Sequence, residues 1–208
     1  YMALYPKVRI ESRFYIPHQS NDLLSNNIDI DFKVGILPDS SMIAKRVSPT
    51  WSSFFASPDY LERYGIPETP SDIQNHRCIH FEGQEPSTTW SFHSKSNIIE
   101  VPIDPIISTT SFWLAKDAAS AGHGIARLPW LLCFQECRAG RLVPLLSKYQ
   151  SPSSGIYAVY PSRKLLSIHI RKFLELIDEY RDANPIMKLT TIPPVSYTHL
   201  TLPTIRLV

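Results

Sequence analysis

Several groups of side chains have types and spacings that suit chemistry. His76, Cys78 and His80 alternate in a short segment, a pattern that would suit metal ligands. Cys133 and Cys137 lie one helical turn apart, but no histidine stands at ligand spacing beside them, so they read as small buried hydrophobes. Ser108-Thr109-Thr110-Ser111 precede the strongest helix signal in the chain. A helix start presents unpaired N–H groups and a partial positive dipole, and hydroxyls add donors, so this run could hold an anion. One Ser or Thr would also suffice there as a plain cap. Gly122-His123-Gly124 sets a histidine between two glycines, where it could sense a proton or an anion. Arg127 could grip a carboxylate with both arms of its guanidinium, or serve an intradomain salt bridge.

The sequence gives no support to catalysis. It contains no G-x-S-x-G and no H-E-x-x-H, and residues 122–124 lack the third glycine of a dinucleotide loop. The chain is read as a non-enzyme that needs no cofactor.

The elements that must position these groups are bounded by composition. The 208 residues carry 21 Lys+Arg against 19 Asp+Glu, a formal charge of +2 that leaves no basic footprint for wrapping nucleic acid. No apolar run approaches the roughly 20 residues of a membrane-spanning helix, so no membrane is expected. Three cysteines suit a reducing compartment better than a disulfide scaffold, which points to the cytoplasm. With 43% hydrophobic residues the composition is globular, enough for one large core or two small ones.

Neither end looks ordinary. The first residues show no signal-peptide pattern, and Met2 reads as internal. Residues 195–204, Val-Ser-Tyr-Thr-His-Leu-Thr-Leu-Pro-Thr, resemble an in-frame translation of a transposase sequencing adapter. Residues 195–208 are therefore expected to be foreign to the protein, with 183–194 left unassigned; the alternative is a natural disordered tail.

Between the ends, periodicity predicts a mixed α/β chain. Lys7–Phe14 alternates as a strand, Asn21–Ser25 reads as a helical turn, and Ile28–Val34 is a second strand closed by Gly35. Leu37–Ser41 is a turn and Trp51–Ala56 a strand. Pro58–Gly65 is a short helix with proline near its start and glycine past its end. Cys78–Phe81, Thr89–Phe92 and Glu100–Pro105 are short strands, the last an edge by its prolines. Thr110 or Ser111 caps a helix carrying Trp113, Leu114, Ala118 and Ala121 at helical spacing, with Phe112 and Trp113 read as core or as an apolar wall. Then come strand Gly124–Leu128, a helix opened by Pro129, strands Arg141–Leu146 and Tyr157–Pro161, and an amphipathic helix over Ile168–Tyr180.

The run Asn27–Ser41, with Gly35-Ile36-Leu37-Pro38-Asp39-Ser40-Ser41 at its end, resembles a stretch of the effector-binding domain of LysR-type transcriptional regulators. Four more stretches follow in that family's order: Ala56–Gly65, Pro70–Ile73 with His76 and Cys78, Ala121–Pro129, and Gly140–Val143. The closing Tyr157–Pro161 with Leu166-Ser167 fits as well, so the resemblance covers nearly everything from Leu4 to Tyr180.

The resemblance implies a two-lobed fold like that of type 2 periplasmic binding proteins, with a small effector in the cleft between lobes. Lobe one would be residues 1–56 and 162–182, and lobe two residues 57–161, with hinges at Ala56, Ser57, Pro161 and Ser162. Two crossings permit closure, so a ligand that prefers the closed state shifts the population. The effector contacts implied are Gly35, Ile36 and Leu37 in lobe one, and Thr109, Thr110, Ser111, Phe112, His123 and Arg127 in lobe two. Each has a structural alternative: a glycine turn, a helix cap, core, an exposed loop histidine and a salt bridge. The family often carries His and Cys near positions 76–80 without metal, so no metal is expected. Its winged helix-turn-helix, the route to DNA, and the first strand and helix of lobe one are not in this sequence, which reads as a sensor truncated at its start and unstable alone. A homodimer or homotetramer is implied. The rival expectation is a solute-binding protein of a transport system, which shares the architecture.

Overall fold

A computed structural model describes residues 1–13, 23, 27–35, 37, 40–82, 88–94, 97–149, 154–161 and 166–190. The chain forms two compact units, one from the described residues of Tyr1–Thr50 and Ser153–Thr190, the other from those of Trp51–Pro152. It crosses between them at Thr50/Trp51 and again at Pro152/Ser153.

The first unit is a three-stranded antiparallel sheet made by β1 (Asp31–Val34), β2 (Ile43–Thr50) and β10 (Ser154–Tyr160), with β10 in the middle. Helix α4 (Ile168–Ala183) starts where Ser167 accepts a hydrogen bond from the Ile170 amide, and it lays Leu174, Ile170 and Ile177 against Val47, Ala158 and Tyr160. That cover does not extend over β1. Phe32, in register with Ala158, is 48% exposed.

Two expectations change in this unit. Residues 7–13 form no strand, and Phe14 lies outside the described residues. Alternation makes a strand only where a partner edge accepts it. Residues 1–8 instead make local turns, Tyr5 donating to the Tyr1 carbonyl at 2.9 Å and Val8 to that of Tyr5 at 3.0 Å. The Tyr1 ring meets Phe173 of α4 edge-on at 5.2 Å. Conversely, β2 is an eight-residue strand that its Lys45-Arg46 pair and Pro49 conceal from a periodicity reading. The predicted turn of helix at Asn21–Ser25 lies outside the described residues except for Leu23, which is buried.

The second unit is built on a five-stranded mixed sheet. Its strands are β3 (Ser52–Ala56), β4 (Cys78–Phe81), β7 (Pro105–Thr109), β8 (Ile125–Pro129) and β9 (Val143–Leu145), in the order β7-β4-β8-β3-β9. β4 runs parallel to β7 and β8, whereas β3 is antiparallel to β8 and β9. A hairpin of β5 (Thr89–His93) and β6 (Ile98–Pro102) forms a separate small sheet.

Successive strand residues face opposite ways, so each face has its own cover. One face, with Phe54, Cys78 and Ile125, packs under the hairpin residues Trp90, Phe92 and Val101 and under α1 (Pro58–Tyr64). On the other, α2 (Phe112–Ser120) and α3 (Trp130–Arg138) lie against the sheet, the Trp130 ring stacking on Phe55 at 6.2 Å. Both ends of α1 follow from the sequence: Ser57 caps it, Pro58 opens it, and Gly65 closes it at φ +84°, a conformation costly for other residues.

The unit boundaries fall several residues before the crossings expected at Ala56/Ser57 and Pro161/Ser162. Ala56 is fully buried and in register with Val143, and Ser57 is the buried cap of α1, so both are fixed within the second unit. Strand β10 runs to Tyr160 inside the first unit's sheet, and Ser162 lies outside the described residues. An apolar run does not reveal which sheet will pair with it. Among the described residues no helix is long and apolar enough to cross a membrane.

Candidate functional site

The carboxyl ends of β4 and β7 lie side by side, with Phe81 in register with Thr109. The ladder continues one step further, because the Glu82 amide donates to the Thr109 carbonyl at 2.8 Å. In open α/β sheets this edge is where ligands collect. Here the chain turns through Thr110 into α2. The Ser111 amide donates to Thr109 Oγ1 at 3.0 Å, and Ser111 Oγ accepts from the Leu114 amide at 3.3 Å. Ser111 is therefore the cap, and the amides of Phe112 and Trp113 precede the first intrahelical bond. Thr110 is exposed beside them, and the half-buried Phe112 stacks flat on Phe81 with ring centroids 3.5 Å apart.

Helix α2 is turned so that Ala115, Ala118 and Ala119 meet the sheet. These small residues allow close approach, and they leave Trp113 58% and Leu114 54% exposed, contrary to a core placement. Lys116 lies over the Trp113 ring at 5.3 Å and ion-pairs with Glu136 of α3 at 2.7 Å. Arg141 Nε donates to the other Glu136 oxygen at 2.7 Å. The Lys116 hydrogen bond leads in holding the Glu136 carboxyl below its usual range, and the same contact raises Lys116.

The predicted contacts do not all meet here. Thr109, Thr110, Ser111 and Phe112 share one rim. His123 follows the far end of α2, its amide donating to the Ala118 carbonyl, and stands exposed at the amino end of β8. Gly122 before it adopts φ +80° with Arg63 and Ser57 pressed against the position of a side chain, so glycine is needed there for structure. Gly35 (φ +105°) and the half-buried Leu37 belong to the first unit, Gly35 donating to the Gly155 carbonyl at 3.0 Å, and Ile36 lies outside the described residues.

Arg127, on β8, is in register with Phe54 and is partly buried. Its neighbour was hidden in the sequence: β4 and β8 pair Cys78 with Ile125 and Ile79 with Ala126, so the next step along the ladder sets His80 beside Arg127. Burial is the main cause holding His80 below its ordinary value; Glu82 opposes this shift and Arg127 adds to it.

The metal pattern dissolves on folding. His76 Nδ1 lies 3.1 Å from the Tyr60 hydroxyl, which also accepts the Arg77 amide at 2.9 Å. Among the described residues no three His, Cys, Asp or Glu side chains are grouped to hold an ion. Burial pushes the Cys78 and Cys137 thiols up to about 12, so both are poor nucleophiles. In the first unit a cavity of about 280 Å³ is lined by Lys45, Tyr160, Leu174 and Glu175, but its Lys45 is already paired with Asp178.

A model of the LysR substrate binding domain matches residues 1–182. An uncharacterised HTH-type transcriptional regulator of Haemophilus influenzae is 31% identical over 170 residues, 82% of this chain and 58% of that protein. An HTH-type transcriptional repressor of Pseudomonas aeruginosa is 30% identical over 194 residues, 92% of this chain and 61% of its own. The chain thus spans little more than half the length of such relatives. The regulatory domain of CrgA from Neisseria meningitidis superposes with a TM-score of 0.73 at 27% identity, covering 86% of this chain and 87% of that one. The regulatory domain of AphB from Vibrio vulnificus shares the fold, with a TM-score of 0.72 at 23% identity and coverage of 86% and 87%. The fold is the two-lobed, periplasmic-binding-protein-like α/β fold of these regulatory domains. These relatives are named as regulators, not enzymes, and they lend no support to the transport alternative. The chain belongs to the LysR substrate-binding domain family.

Proposed function

We propose that this chain is the effector-sensing part of a cytoplasmic, DNA-binding transcription regulator of the LysR type. A small molecule binds at the rim where Thr109, Thr110, Ser111 and Phe112 meet the carboxyl edge of the sheet. DNA is reached only through a winged helix-turn-helix outside this sequence, in a homodimer or homotetramer. Ligand binding and DNA affinity are then linked reciprocally through the geometry of the lobes.

The observation that carries the reading is the start of α2. Its cap is satisfied within the chain, and the exposed Thr110 hydroxyl with the Phe112 and Trp113 amides remains as a donor set above an aromatic stack. Replacing Thr110 and Ser111 together by Ala is expected to weaken effector binding at least a few fold in calorimetry; unchanged affinity removes the rim from the proposal. For the regulator itself the test is the genomic DNA preceding the codon for Tyr1. A helix-turn-helix frame is expected there, and a secretion signal would return the protein to the solute-binding class.

A further inference from the structure

We propose that the second unit carries a docking surface for an acidic segment of a partner protein, built from Arg63, Tyr64, Arg77 and His123 at the edge where β4 and β8 begin. It goes beyond the sensor reading above, because the rim at residues 109–112 lies at the opposite, carboxyl edge of the same sheet.

The first support is placement. β4 and β8 are parallel neighbours, so Arg77 and Gly124, each one residue before its strand, come together, and the Ile125 amide donates to the Arg77 carbonyl at 2.8 Å. A Cβ on Gly124 would lie 2.5 Å from that carbonyl, and one on Gly122 would lie 2.7 Å from the Arg63 guanidinium. The two glycines thus seat the loop against both arginines, with the exposed His123 between them. Tyr64, at the end of α1 and 43% exposed, joins the pair: the guanidinium carbons of Arg77 and Arg63 lie 5.1 Å and 5.9 Å from its ring centroid. The ring is itself fixed by stacking at 4.7 Å on the buried Tyr60, whose hydroxyl accepts the Arg77 amide.

The second support is charge. Among the described residues neither Arg63 nor Arg77 forms an ion pair, whereas Lys116 and the exposed Arg141 of the same unit both pair with Glu136. Arg63 donates to carbonyls instead, that of Asp59 at 2.9 Å and that of Gly122 at 3.5 Å, which leave its charge in place. Two guanidiniums on one ring without a counter-charge set up a local positive potential, and each planar fork matches a carboxylate. Because the ring already holds them, less side-chain freedom is lost on binding. Two residues beyond Tyr64, Ile66 is 53% exposed and adds apolar surface, and tyrosine with arginine is the composition that protein interfaces favour. A nucleic acid is a poorer match, since the segments bearing the arginines also expose Asp59, Glu62 and Glu68, which repel a phosphate backbone running past the pair.

The test is fluorescence anisotropy of a labelled peptide of glutamates around one leucine, titrated with the full chain, against the same peptide with glutamines. The glutamate peptide is expected to bind, more weakly as salt is raised, and the glutamine peptide not to bind. Arg63→Glu with Arg77→Glu is expected to abolish binding. Arg171→Glu with Lys172→Glu, the same change of charge on α4, is expected to leave it intact, and an equal loss there would reduce the effect to net charge and overturn the proposal. His123→Glu, on an exposed side chain, should weaken binding several-fold and covers the case in which the arginine variant fails to fold. No binding of the glutamate peptide, or undiminished binding by a folded Arg63→Glu, Arg77→Glu protein, also overturns the proposal. Tighter binding of a single-stranded oligothymidylate, lost in the same variant, would assign the surface to nucleic acid and overturn the partner class. Self-association in sedimentation that the arginine variant removes would assign it to a second copy of the chain, with the same consequence.

Discussion

The two units solve the burial problem differently. In the second, a five-stranded sheet is covered on both faces, and Phe54, Phe55, Ile79, Phe92 and Leu128 are all sealed to 1% exposure or less. In the first, among the described residues, one helix covers part of a three-stranded sheet, its packed cluster is built on Val47, Ala158, Tyr160 and Leu174, and Phe32 and Val34 of β1 stay open. Both units draw on one composition, so the contrast lies in layering: a sheet residue is stabilised only where a second layer meets it. The candidate rim at α2 stands on the doubly covered unit, whereas the candidate contacts Gly35 and Leu37 stand on the thinner one.

The contrast breaks most easily at its strongest point. Phe54→Ala removes a ring packed against Trp90 and Phe92 and should cost about 3–5 kcal/mol in denaturant unfolding. Leu174→Ala, in the thinner core, should cost about 2 kcal/mol, near the bottom of the range for such truncations. Equal losses at the two sites would mean that the first unit is as well packed as the second. Glu136→Gln leaves Lys116 without its main partner; a loss of about 1–2 kcal/mol is expected, discounted because Arg141 keeps one side of the network in solvent. Hydrogen exchange should then quicken in α2 and α3 before β3, and uniform quickening would deny the local role.

Acid should weaken the second unit through His76 and His80. Burial holds both below their ordinary value, so the unfolded chain takes up protons first as pH falls through about 6.5. Their contribution is complete above that pH and declines toward the depressed folded values. Melting temperatures between pH 7.5 and 5 should show the decline, and His76→Gln with His80→Gln should flatten it. The smallest effect belongs to β1: Phe32→Thr should change stability by no more than about 0.5 kcal/mol, and a larger loss would reveal a cover on that strand.

Much of the candidate rim was legible because its causes are local. Ser111 caps α2 through atoms three residues away, and Pro58 and Gly65 bound α1 through their own backbone preferences. The ordered motifs from Ala56 to Val143 carried the family, and the α/β class followed from alternating periods. What could not be read were choices made between distant segments. β2 and β7 become strands because β10 and β4 lie beside them, while residues 7–13, with a clearer alternation, find no ladder.

By itself, then, the sequence determined the caps, the turns, the period of each element and the family, since these depend on torsions and hydrogen bonds within a few residues. Only the tertiary structure decided which face of α2 is buried, where the chain passes from one unit to the other, and that His80 stands beside Arg127. Those outcomes depend on register between strands far apart in sequence, and a shift of one residue would turn each side chain to the opposite face.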